Sequence, residues 1–280
     1  MNRIKTLFAK KPYDVLNVYF TAGYPCRSDT GVILQALQEA GVDLVEIGIP
    51  YSDPYADGET IQRSHQQALR NGMTLRLLFR QLADCRSRVH IPIVLMGYMN
   101  SILQYGVDDF CQKCLEVGVD GVILADLPYT VYERTFKATF DHYGLAYIPL
   151  VTPLTPEHLI RRIDQDAKGF IYMVSSVGTT GSVKGITPDM LRYFWRIKSM
   201  KLRSPWLIGF GIKDQTTFET ACEYANGAII GSAFIRALAD GYCCSPVEVV
   251  NRFIRSVRPT ESLYQPVSWE GVDAVYEEMV

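Results

Sequence analysis

The chain alternates between short apolar runs and longer segments with helical periodicity. Eight runs rich in branched apolar residues are each followed by a segment whose apolar residues recur three and four positions apart. We predict these runs to be strands, at residues 15–22, 44–49, 91–98, 121–126, 146–152, 170–175, 206–211 and 227–232. The amphipathic segments between them are predicted helices, among them "GVILQALQEAG", "FCQKCLEVG", "EHLIRRIDQDA" and "QTTFETACEYANG". Near-continuous apolar runs are typical of parallel strands that are covered on both faces.

Eight strand–helix units in one uninterrupted chain predict an α/β fold, a single-domain (β/α)₈ TIM barrel. The sequence has no low-complexity tract and no linker rich in Pro, Gly or Ser. We expect the barrel over residues 1–258, beginning with a short surface helix in "MNRIKTLFAKKPYD". Residues 259–280 are expected to form a C-terminal extension of unknown role. A doubly wound open sheet is the alternative arrangement of the same units.

Composition and charge narrow the class of protein. Of 280 residues, 48% are hydrophobic and 21% charged, which is typical of a globular enzyme. The net charge of −2 gives no reason to expect nucleic acid or anionic membranes as partners. No apolar run approaches the roughly 18 residues of a membrane span, and the start has no secretory signal.

Cysteine and histidine give little evidence of a metal site or of a histidine-based catalytic triad. The seven cysteines form an odd set, typical of buried thiols in a reducing compartment, so we expect a cytoplasmic location. Cys111 and Cys114 form a C-x-x-C, but within a helical pattern and without a second pair at metal-ligand spacing. No metal is therefore predicted. The four histidines share no obvious constellation: His65, His90, His142 and His158.

An acidic pair follows the second predicted strand. In a barrel, functional residues lie at the carboxyl ends of the strands. Glu46 lies within the apolar second strand, and Asp57 lies in the loop "DPYADGET" after it. If Glu46 points into the barrel mouth, burial should raise its pKa and let it both donate and accept a proton. Asp57, followed by glycine, is expected to be mobile and ionised. The alternatives are a buried glutamate bound by a backbone donor and an aspartate that forms a turn.

Glycine-rich ends of the last two strands indicate a phosphate site. "GFGIKD" and "IIGSAF" end strands seven and eight, where barrels commonly hold a phosphate on backbone N–H groups and a helix start. A flexible "GTTG" loop after strand six could close over the same end. No G-x-x-x-x-G-K-[ST] motif occurs, which argues against a nucleoside triphosphatase.

Several motifs, in their order along the chain, are similar to those of the tryptophan synthase α subunit family. They are "YFTAGYP", "LVEIGIPYSDPYADGETIQ", "LMGYMN", "ADLP", the GTTG loop, "GFGI" and "GSAF", and the similarity extends over residues 15–257. This resemblance implies a lyase of tryptophan biosynthesis that cleaves indole-3-glycerol phosphate into indole and glyceraldehyde 3-phosphate. It also implies an α–β–β–α complex, with no cofactor in this chain and pyridoxal phosphate in the β subunit.

The resemblance also implies the role of individual residues. Glu46 and Asp57 correspond to the catalytic glutamate and aspartate. Tyr19, Tyr98, Tyr172 and Phe210 correspond to residues that line the indole pocket, and Thr180 to the closing residue of the mobile loop. The phosphate-binding positions correspond to Gly181, Gly211, Gly231 and Ser232.

Two departures from the family pattern concern loops that are expected to close over the substrate. Glu59 stands where the acidic loop usually has proline, and Ser176 where the strand-six loop usually has arginine. A catalytically weak α-like subunit, which mainly binds and activates the β subunit, therefore stays open beside a competent lyase. A third possibility is another phosphate-binding barrel of the pathway, an isomerase or indole-3-glycerol phosphate synthase. The synthase relies on a lysine at a strand end, and predicted strands two, three and four offer none.

Overall fold

A parallel sheet forms the centre of the molecule. The structure is a computed structural model that describes residues 2–174, 187–209, 211–241 and 244–259. Neighbouring strands pair in parallel throughout. The strands are β1 (Val15–Thr21), β2 (Leu44–Gly48), β3 (Ile93–Gly97), β4 (Gly121–Leu124), β5 (Ala146–Tyr147), β6 (Leu150–Val151), β7 (Ile171–Val174), β8 (Trp206–Gly209) and β9 (Gly227–Ile230).

The sheet closes on itself through the fifth predicted strand. Its order is β5-β4-β3-β2-β1-β9-β8-β7-β6, so β5 and β6 stand at its two ends. These two segments belong to one run of chain and are separated by Ile148 and Pro149. The N–H of Ile148 bonds to the carbonyl of Val122 on one side, and the carbonyl of Pro149 accepts from Tyr172 on the other. Eight strand positions therefore surround one interior. The predicted barrel is confirmed, and the alternative of an open sheet is wrong.

Each predicted strand contains an observed one. Where the following residues are described, the observed strand ends one or two residues earlier than predicted. The apolar pattern continues past the last ladder hydrogen bond because residues at the barrel mouth also pack on the core. Ile49, for example, follows β2 and is 2% exposed. Periodicity reports burial, whereas a strand ends where its backbone pairing ends.

Helices cover the outside of the barrel, including those predicted after the first, third, fifth and seventh strands. A π-helical turn (Tyr132–Phe136) lies between two short helices, Tyr129–Val131 and Lys137–His142. The helices are α1 (Arg3–Lys10), α2 (Asp29–Glu39), α3 (Glu59–Arg70), α4 (Leu75–Cys85), α5 (Met99–Tyr105), α6 (Val107–Val117), α7 (Tyr129–Val131), α8 (Lys137–His142), α9 (Glu157–Asp166), α10 (Pro188–Ser199), α11 (Gln215–Cys222), α12 (Ser232–Asp240) and α13 (Pro246–Val257).

The first helix closes the amino-terminal end of the barrel. Asn2 caps α1 by accepting a hydrogen bond from the N–H of Ile4. Ile4, Leu7 and Phe8 recur at helical spacing and pack on a cluster inside the barrel, where Ile4 is fully buried. The expected helix is present, but it is more than a surface element. That cluster contains Val15, Leu44, Val94, Ile123, Ala146, Ile148, Phe170, Leu207 and Ile229.

A buried carboxylate fixes α1 to the sheet. Asp120 is 4% exposed, and its Oδ1 accepts hydrogen bonds from the backbone N–H and the guanidinium of Arg3. Its Oδ2 accepts from the guanidinium of Arg86, on the turn after α4, and from the backbone N–H of Ile93 on β3. One side chain, directly before β4, therefore binds α1, the turn after α4 and β3 at this end of the barrel.

Candidate active site

Alternate residues of β1 and β2 form successive levels inside the barrel. Val15 and Leu44 belong to the buried cluster at the amino-terminal end. Because alternate residues of a strand share one face, Asn17 and Glu46 lie one level above them, towards the carboxyl ends of the strands. Tyr19, the next inward residue of β1, is paired in register with Glu46. The structure therefore places Glu46 inside the barrel, below its mouth.

The two carboxyl oxygens of Glu46 differ in their hydrogen bonding. Glu46 is fully buried, and the side-chain amide of Asn17 donates to its Oε1 at 2.5 Å. Its Oε2 is buried and has no hydrogen-bond partner among the described residues. Burial raises the pKa of Glu46 to about 8, although the Asn17 hydrogen bond acts in the opposite direction. At neutral pH the group is therefore mostly protonated and can offer its proton from Oε2.

Asp57 is held more firmly than the sequence suggested. It is 6% exposed, and the hydroxyl of Tyr98 donates to its Oδ2 at 2.8 Å. The same hydroxyl accepts the N–H of Ala56, and Gln62 donates to the carbonyl of Asp57. The expectation of a freely moving side chain is therefore not met. Burial raises the pKa of Asp57 to about 6, and the Tyr98 hydrogen bond limits that rise, so the carboxylate is mostly ionised at pH 7.

Aromatic rings surround the acidic pair. Tyr51 stacks on Tyr98 with ring centroids 4.9 Å apart, and Tyr55 packs against Tyr98 at a tilt. Tyr19 and Tyr172 extend across the barrel interior, above glycines of the neighbouring strands. Burial together with the carboxyl groups of Glu46 and Asp57 raises the pKa of both Tyr19 and Tyr172, so both phenols remain protonated near the acidic pair.

Glycines provide the space that these two tyrosines occupy. A Cβ at Gly48 would overlap the hydroxyl of Tyr19, and a Cβ at Gly209 would overlap the hydroxyl of Tyr172. Both glycines are the last residues of their strands. The small residues at these strand ends therefore accept aromatic rings, in addition to any role in binding a ligand.

Backbone donors lie at the ends of β8 and β9. α12 begins at Ser232, directly after β9, and its N-cap residue is Gly231, which has no side chain to bind the N–H groups of the first turn. The positive end of a helix dipole and the Ser232 hydroxyl can therefore bind an anion there. Gly211 has a φ of +73°, a left-handed conformation that glycine adopts without strain. A Cβ at Gly231 would lie 3.6 Å from the ring of Tyr19, so this ring connects the acidic pair with the start of α12.

Three of the predicted site residues lie outside the described residues: Thr180, Gly181 and Phe210. Ser176, whose side chain departs from the family pattern, lies outside them as well. Glu59, the other departure, is the first residue of α3, and its exposed carboxylate pairs with Arg63 one turn later. A negative charge is favourable at a helix start, so Glu59 contributes to the helix.

Two polar residues of the site were not predicted from the sequence. Asn17 interrupts the apolar run "VLNVYF" on the same strand face as Val15 and Tyr19, which points into the barrel. The alternation of faces along a strand could have identified it. His65 lies on the buried face of α3, where Ile61 and Ser64 precede it at helical spacing. In the sequence, His65 is only one of four unrelated histidines. Its contacts with Tyr51 and Tyr19 form only in the folded barrel.

The described residues hold neither a metal-binding cluster nor a membrane span. Within the part of the chain that the structure describes, no three His, Cys, Asp or Glu side chains converge as a metal site would require. Cys111 and Cys114 instead pack in the hydrophobic core. Over the same residues, no helix combines the length and apolar character needed to cross a membrane.

Comparison with known proteins shows the family to which the chain belongs. The family model described as "Tryptophan synthase alpha chain" matches residues 8–263. The tryptophan synthase alpha chain of Parabacteroides distasonis is 50% identical over 258 residues, which cover 92% of this chain and 100% of that relative. The corresponding chain of Christiangramia forsetii is 49% identical over 258 residues, covering 92% of this chain and 99% of that relative.

Solved structures share the fold over the same length. The tryptophan synthase alpha chain of Legionella pneumophila subsp. pneumophila superposes with a TM-score of 0.83 and 31% identity, covering 92% of this chain and 96% of that one. A chain of the tryptophan synthase complex from Pyrococcus furiosus gives a TM-score of 0.78 with 32% identity, covering 87% of this chain and 97% of that one. By fold, family model and sequence identity, the chain belongs to the tryptophan synthase alpha chain family.

Proposed function

We propose that this chain cleaves indole-3-glycerol phosphate into indole and glyceraldehyde 3-phosphate, with Glu46 and Asp57 as its catalytic residues. Family membership supports the reaction class, a carbon–carbon lyase of tryptophan biosynthesis. One observation carries the assignment of roles. A buried carboxyl group with a pKa near 8 has an oxygen without a partner among the described residues, and it shares its electrostatic influence on Tyr19 and Tyr172 with the second carboxylate, Asp57.

The first step transfers a proton to the indole ring. Protonated Glu46 gives its proton to C3 of the ring, and the C2–C3 π electrons form the new C–H bond. Positive charge then develops on the ring nitrogen. Asp57 accepts a hydrogen bond from the ring N–H and stabilises that charge as a carboxylate. Its ionised state at neutral pH suits this role, because a protonated aspartate would offer no compensating charge.

The second step breaks the carbon–carbon bond. The carboxylate of Glu46 now takes the proton of the hydroxyl on the carbon attached to C3. The O–H electrons form the carbonyl of glyceraldehyde 3-phosphate, and the electrons of the broken bond return to the ring and neutralise the nitrogen. Glu46 is protonated again, so the cycle needs no external acid or base.

Binding groups at the barrel mouth orient the substrate for these steps. The start of α12, with Ser232 and Gly231, supports binding of the phosphate group. Tyr19 lies between that helix start and the acidic pair, which suits an elongated substrate with a phosphate at one end and an aromatic ring at the other. The hydroxyl of Tyr98 keeps Asp57 oriented.

We also propose a β-subunit partner and a cytoplasmic location. The similar Pyrococcus furiosus chain comes from the structure of a tryptophan synthase complex, which supports an α–β–β–α assembly for this chain. Pyridoxal phosphate would then belong to the β subunit, and this chain would hold no cofactor. Free cysteines, several of them buried in the core, support a reducing compartment.

The weak α-like subunit is the second candidate. It rests on the two departures from the family pattern, of which only Glu59 lies within the described residues. Glu59 pairs with Arg63 at the exposed start of α3, whereas the Asp57 carboxylate is bound by Tyr98, which favours the competent lyase. The two candidates share a fold and differ in the rate of substrate cleavage.

Indole release from indole-3-glycerol phosphate, measured with and without the β subunit, separates the candidates. Glu46→Gln should lower turnover by at least about 10²–10⁴-fold, because glutamine neither donates nor accepts the transferred proton. Circular dichroism and stimulation of the β reaction should remain as in the parent chain. The matched control is Glu116→Gln, an exposed position on α6, which should change neither readout.

Three outcomes decide the assignment. Fast release that depends on Glu46 supports the lyase. Negligible release by the parent chain, together with a stimulated β reaction, supports the weak subunit. Unchanged turnover in Glu46→Gln overturns the catalytic role of this residue.

A further inference from the structure

Both ring nitrogens of His65 have neighbours in the fold. The side chain is 2% exposed, and its Nδ1 accepts a hydrogen bond from the backbone N–H of Tyr51 at 3.1 Å. Because an accepting nitrogen carries no proton, the neutral ring holds its proton on Nε2. Nε2 lies 3.2 Å from the hydroxyl of Tyr19 and 3.8 Å from Oδ2 of Asp57. One backbone contact therefore selects the tautomer that presents a donor to this part of the site.

The donor continues into a hydrogen-bond chain of fixed direction. Ser64 donates its hydroxyl proton to the carbonyl of Ile61 at 2.7 Å, so its oxygen can only accept from Thr21, 2.6 Å away. Thr21, having donated to Ser64, accepts in turn from the hydroxyl of Tyr19 at 3.3 Å. The Tyr19 oxygen then accepts the Nε2–H of His65. Each hydroxyl has one proton, so the direction follows from the last acceptor.

This hydrogen-bond chain determines which acceptor receives the hydroxyl proton of Tyr19. Burial and the nearby carboxyl groups of Asp57 and Glu46 raise the pKa of Tyr19, which therefore remains a donor. Without the histidine donor, the Tyr19 hydroxyl could turn towards a carboxyl group. A hydroxyl bound there would compete with the substrate for the acceptor.

We propose that His65 is a positioning residue for the cleavage step: its Nε2–H keeps the Tyr19 hydroxyl directed at Thr21 and so leaves the Asp57 carboxylate to the indole N–H. The inference rests on the proposed function, because it concerns the acceptor that Asp57 offers to the ring. Within the described part of the chain, the titratable groups that face His65 are Asp57 in the acidic loop and Tyr19 on β1, and the hydroxyl of Tyr98 binds the same Asp57 oxygen. Burial lowers the pKa of His65 to about 4, so the ring is neutral near pH 7.

Three substitutions separate the two ring nitrogens. His65→Gln places an amide N–H near the position of Nε2, whereas His65→Asn reaches only the position of Nδ1. His65→Leu offers neither group and serves as the control for packing. We expect kcat for indole release to fall about tenfold in the Asn and Leu variants, with KM changed less than about threefold. The Gln variant should keep kcat within about threefold of the parent.

Repeating the His65 substitution in a Tyr19→Phe variant tests whether His65 acts on kcat through Tyr19. In Tyr19→Phe the competing hydroxyl is absent, so His65→Asn should lower kcat much less there than in the parent. Equal losses in both backgrounds would overturn the proposal, since His65 would then act without Tyr19. Equal activity of the Gln, Asn and Leu variants, whether high or low, would also overturn it, because packing alone would explain the result. Thermal denaturation of each variant establishes that it folds.

The tautomer can be measured without any enzyme activity. In the full chain labelled with ¹⁵N-histidine, the signals missing from His65→Gln identify the ring nitrogens of His65. We expect a protonated Nε2 and an unprotonated Nδ1 from about pH 5.5 to 8. A proton on Nδ1 would overturn the proposal even if the lyase assignment holds. If instead the chain releases no indole while the Nε2–H tautomer is present, the proposed function fails and the hydrogen-bond chain stands.

Discussion

At the scale of single residues, two carboxyl groups in one interior differ in charge at neutral pH. Both are desolvated, yet the pKa is about 8 for Glu46 and about 6 for Asp57. Among the described residues, Asn17 donates a side-chain hydrogen bond to Glu46 and Tyr98 donates one to Asp57. At pH 7 the site therefore contains a proton donor and a fixed negative charge, the combination that the two proposed steps require.

The two pKa values predict a bell-shaped pH profile. The proposed mechanism requires Asp57 to be ionised, so kcat/KM should fall as pH drops through about 6. It requires Glu46 protonated, so kcat/KM should also fall as pH rises through about 8. The measurement is kcat/KM for indole release between pH 5 and 10, since this parameter reports the free enzyme.

Tyr98→Phe provides the control for this profile, because the substrate phosphate also titrates near the acid limb. Loss of the Tyr98 hydrogen bond should raise the pKa of Asp57 and move the acid limb upward. The alkaline limb should stay in place, and the phosphate contributes equally to both proteins. An acid limb that does not move would indicate that Asp57 is not the group responsible.

Burial of Glu46 should also appear in the stability of the fold. A glutamate side chain ordinarily has a pKa of 4.5, and that of Glu46 in the folded protein is about 8. Between these values the folded chain holds one more proton than the unfolded chain. The stabilisation from the protonated group is full below pH 4.5 and is lost as pH rises through about 8, by up to about 1.4 kcal/mol per pH unit. Glutamine does not titrate, so the difference in unfolding free energy between Glu46→Gln and the parent should move in favour of the variant over this range. Urea denaturation at several pH values measures the trend, and a constant difference would contradict it.

At the scale of elements, the strand ends combine backbone pairing with space for side chains. β2 ends at Gly48, where the ring of Tyr19 from β1 crosses the barrel interior. Gly48→Ala should therefore displace Tyr19, lower stability by about 1–3 kcal/mol and reduce indole release. Gly31→Ala is the control, because a Cβ there would make an ordinary 3.7 Å contact with Cys85 and would favour helix α2. Equal effects of the two substitutions on unfolding free energy and activity would contradict the steric explanation.

The elements could be predicted from the sequence because each one leaves a local pattern. The apolar runs located every strand, and the proline in "AYIPLVT" marks the point where the fifth strand divides.

The site was harder to predict. Glu46 stands out as a charge within an apolar strand, whereas the restraint on Asp57 comes from Tyr98, 41 positions along the chain. The contact between His65 and Tyr19 joins residues 46 positions apart. Periodicity gives the face on which a residue lies, and the partner on that face is decided by the register of distant strands.

At the scale of the whole molecule, the Asp120 anchor and the proposed catalytic residues lie at opposite ends of the barrel. Asp120→Ala should lower the unfolding free energy by about 3–5 kcal/mol, because the guanidinium of Arg86, a side chain only 10% exposed, would lose its charge partner. Arg3→Ala should lower the unfolding free energy much less, since the Arg3 side chain is 43% exposed. Urea denaturation measures both values, and equal losses would contradict the difference in burial. KM for the substrate should stay near the parent value in both variants.

The same carboxylate places the docking of α1 late in the assembly of the fold. Arg3 and Asp120 are 117 positions apart, so during synthesis α1 is made long before the residue that anchors it. Until then the apolar side of α1, including Ile4, has no interior to enter. This helix therefore docks beneath the barrel only once the residues up to Asp120 have emerged, and a bulky fusion placed directly before Asn2 would obstruct that docking.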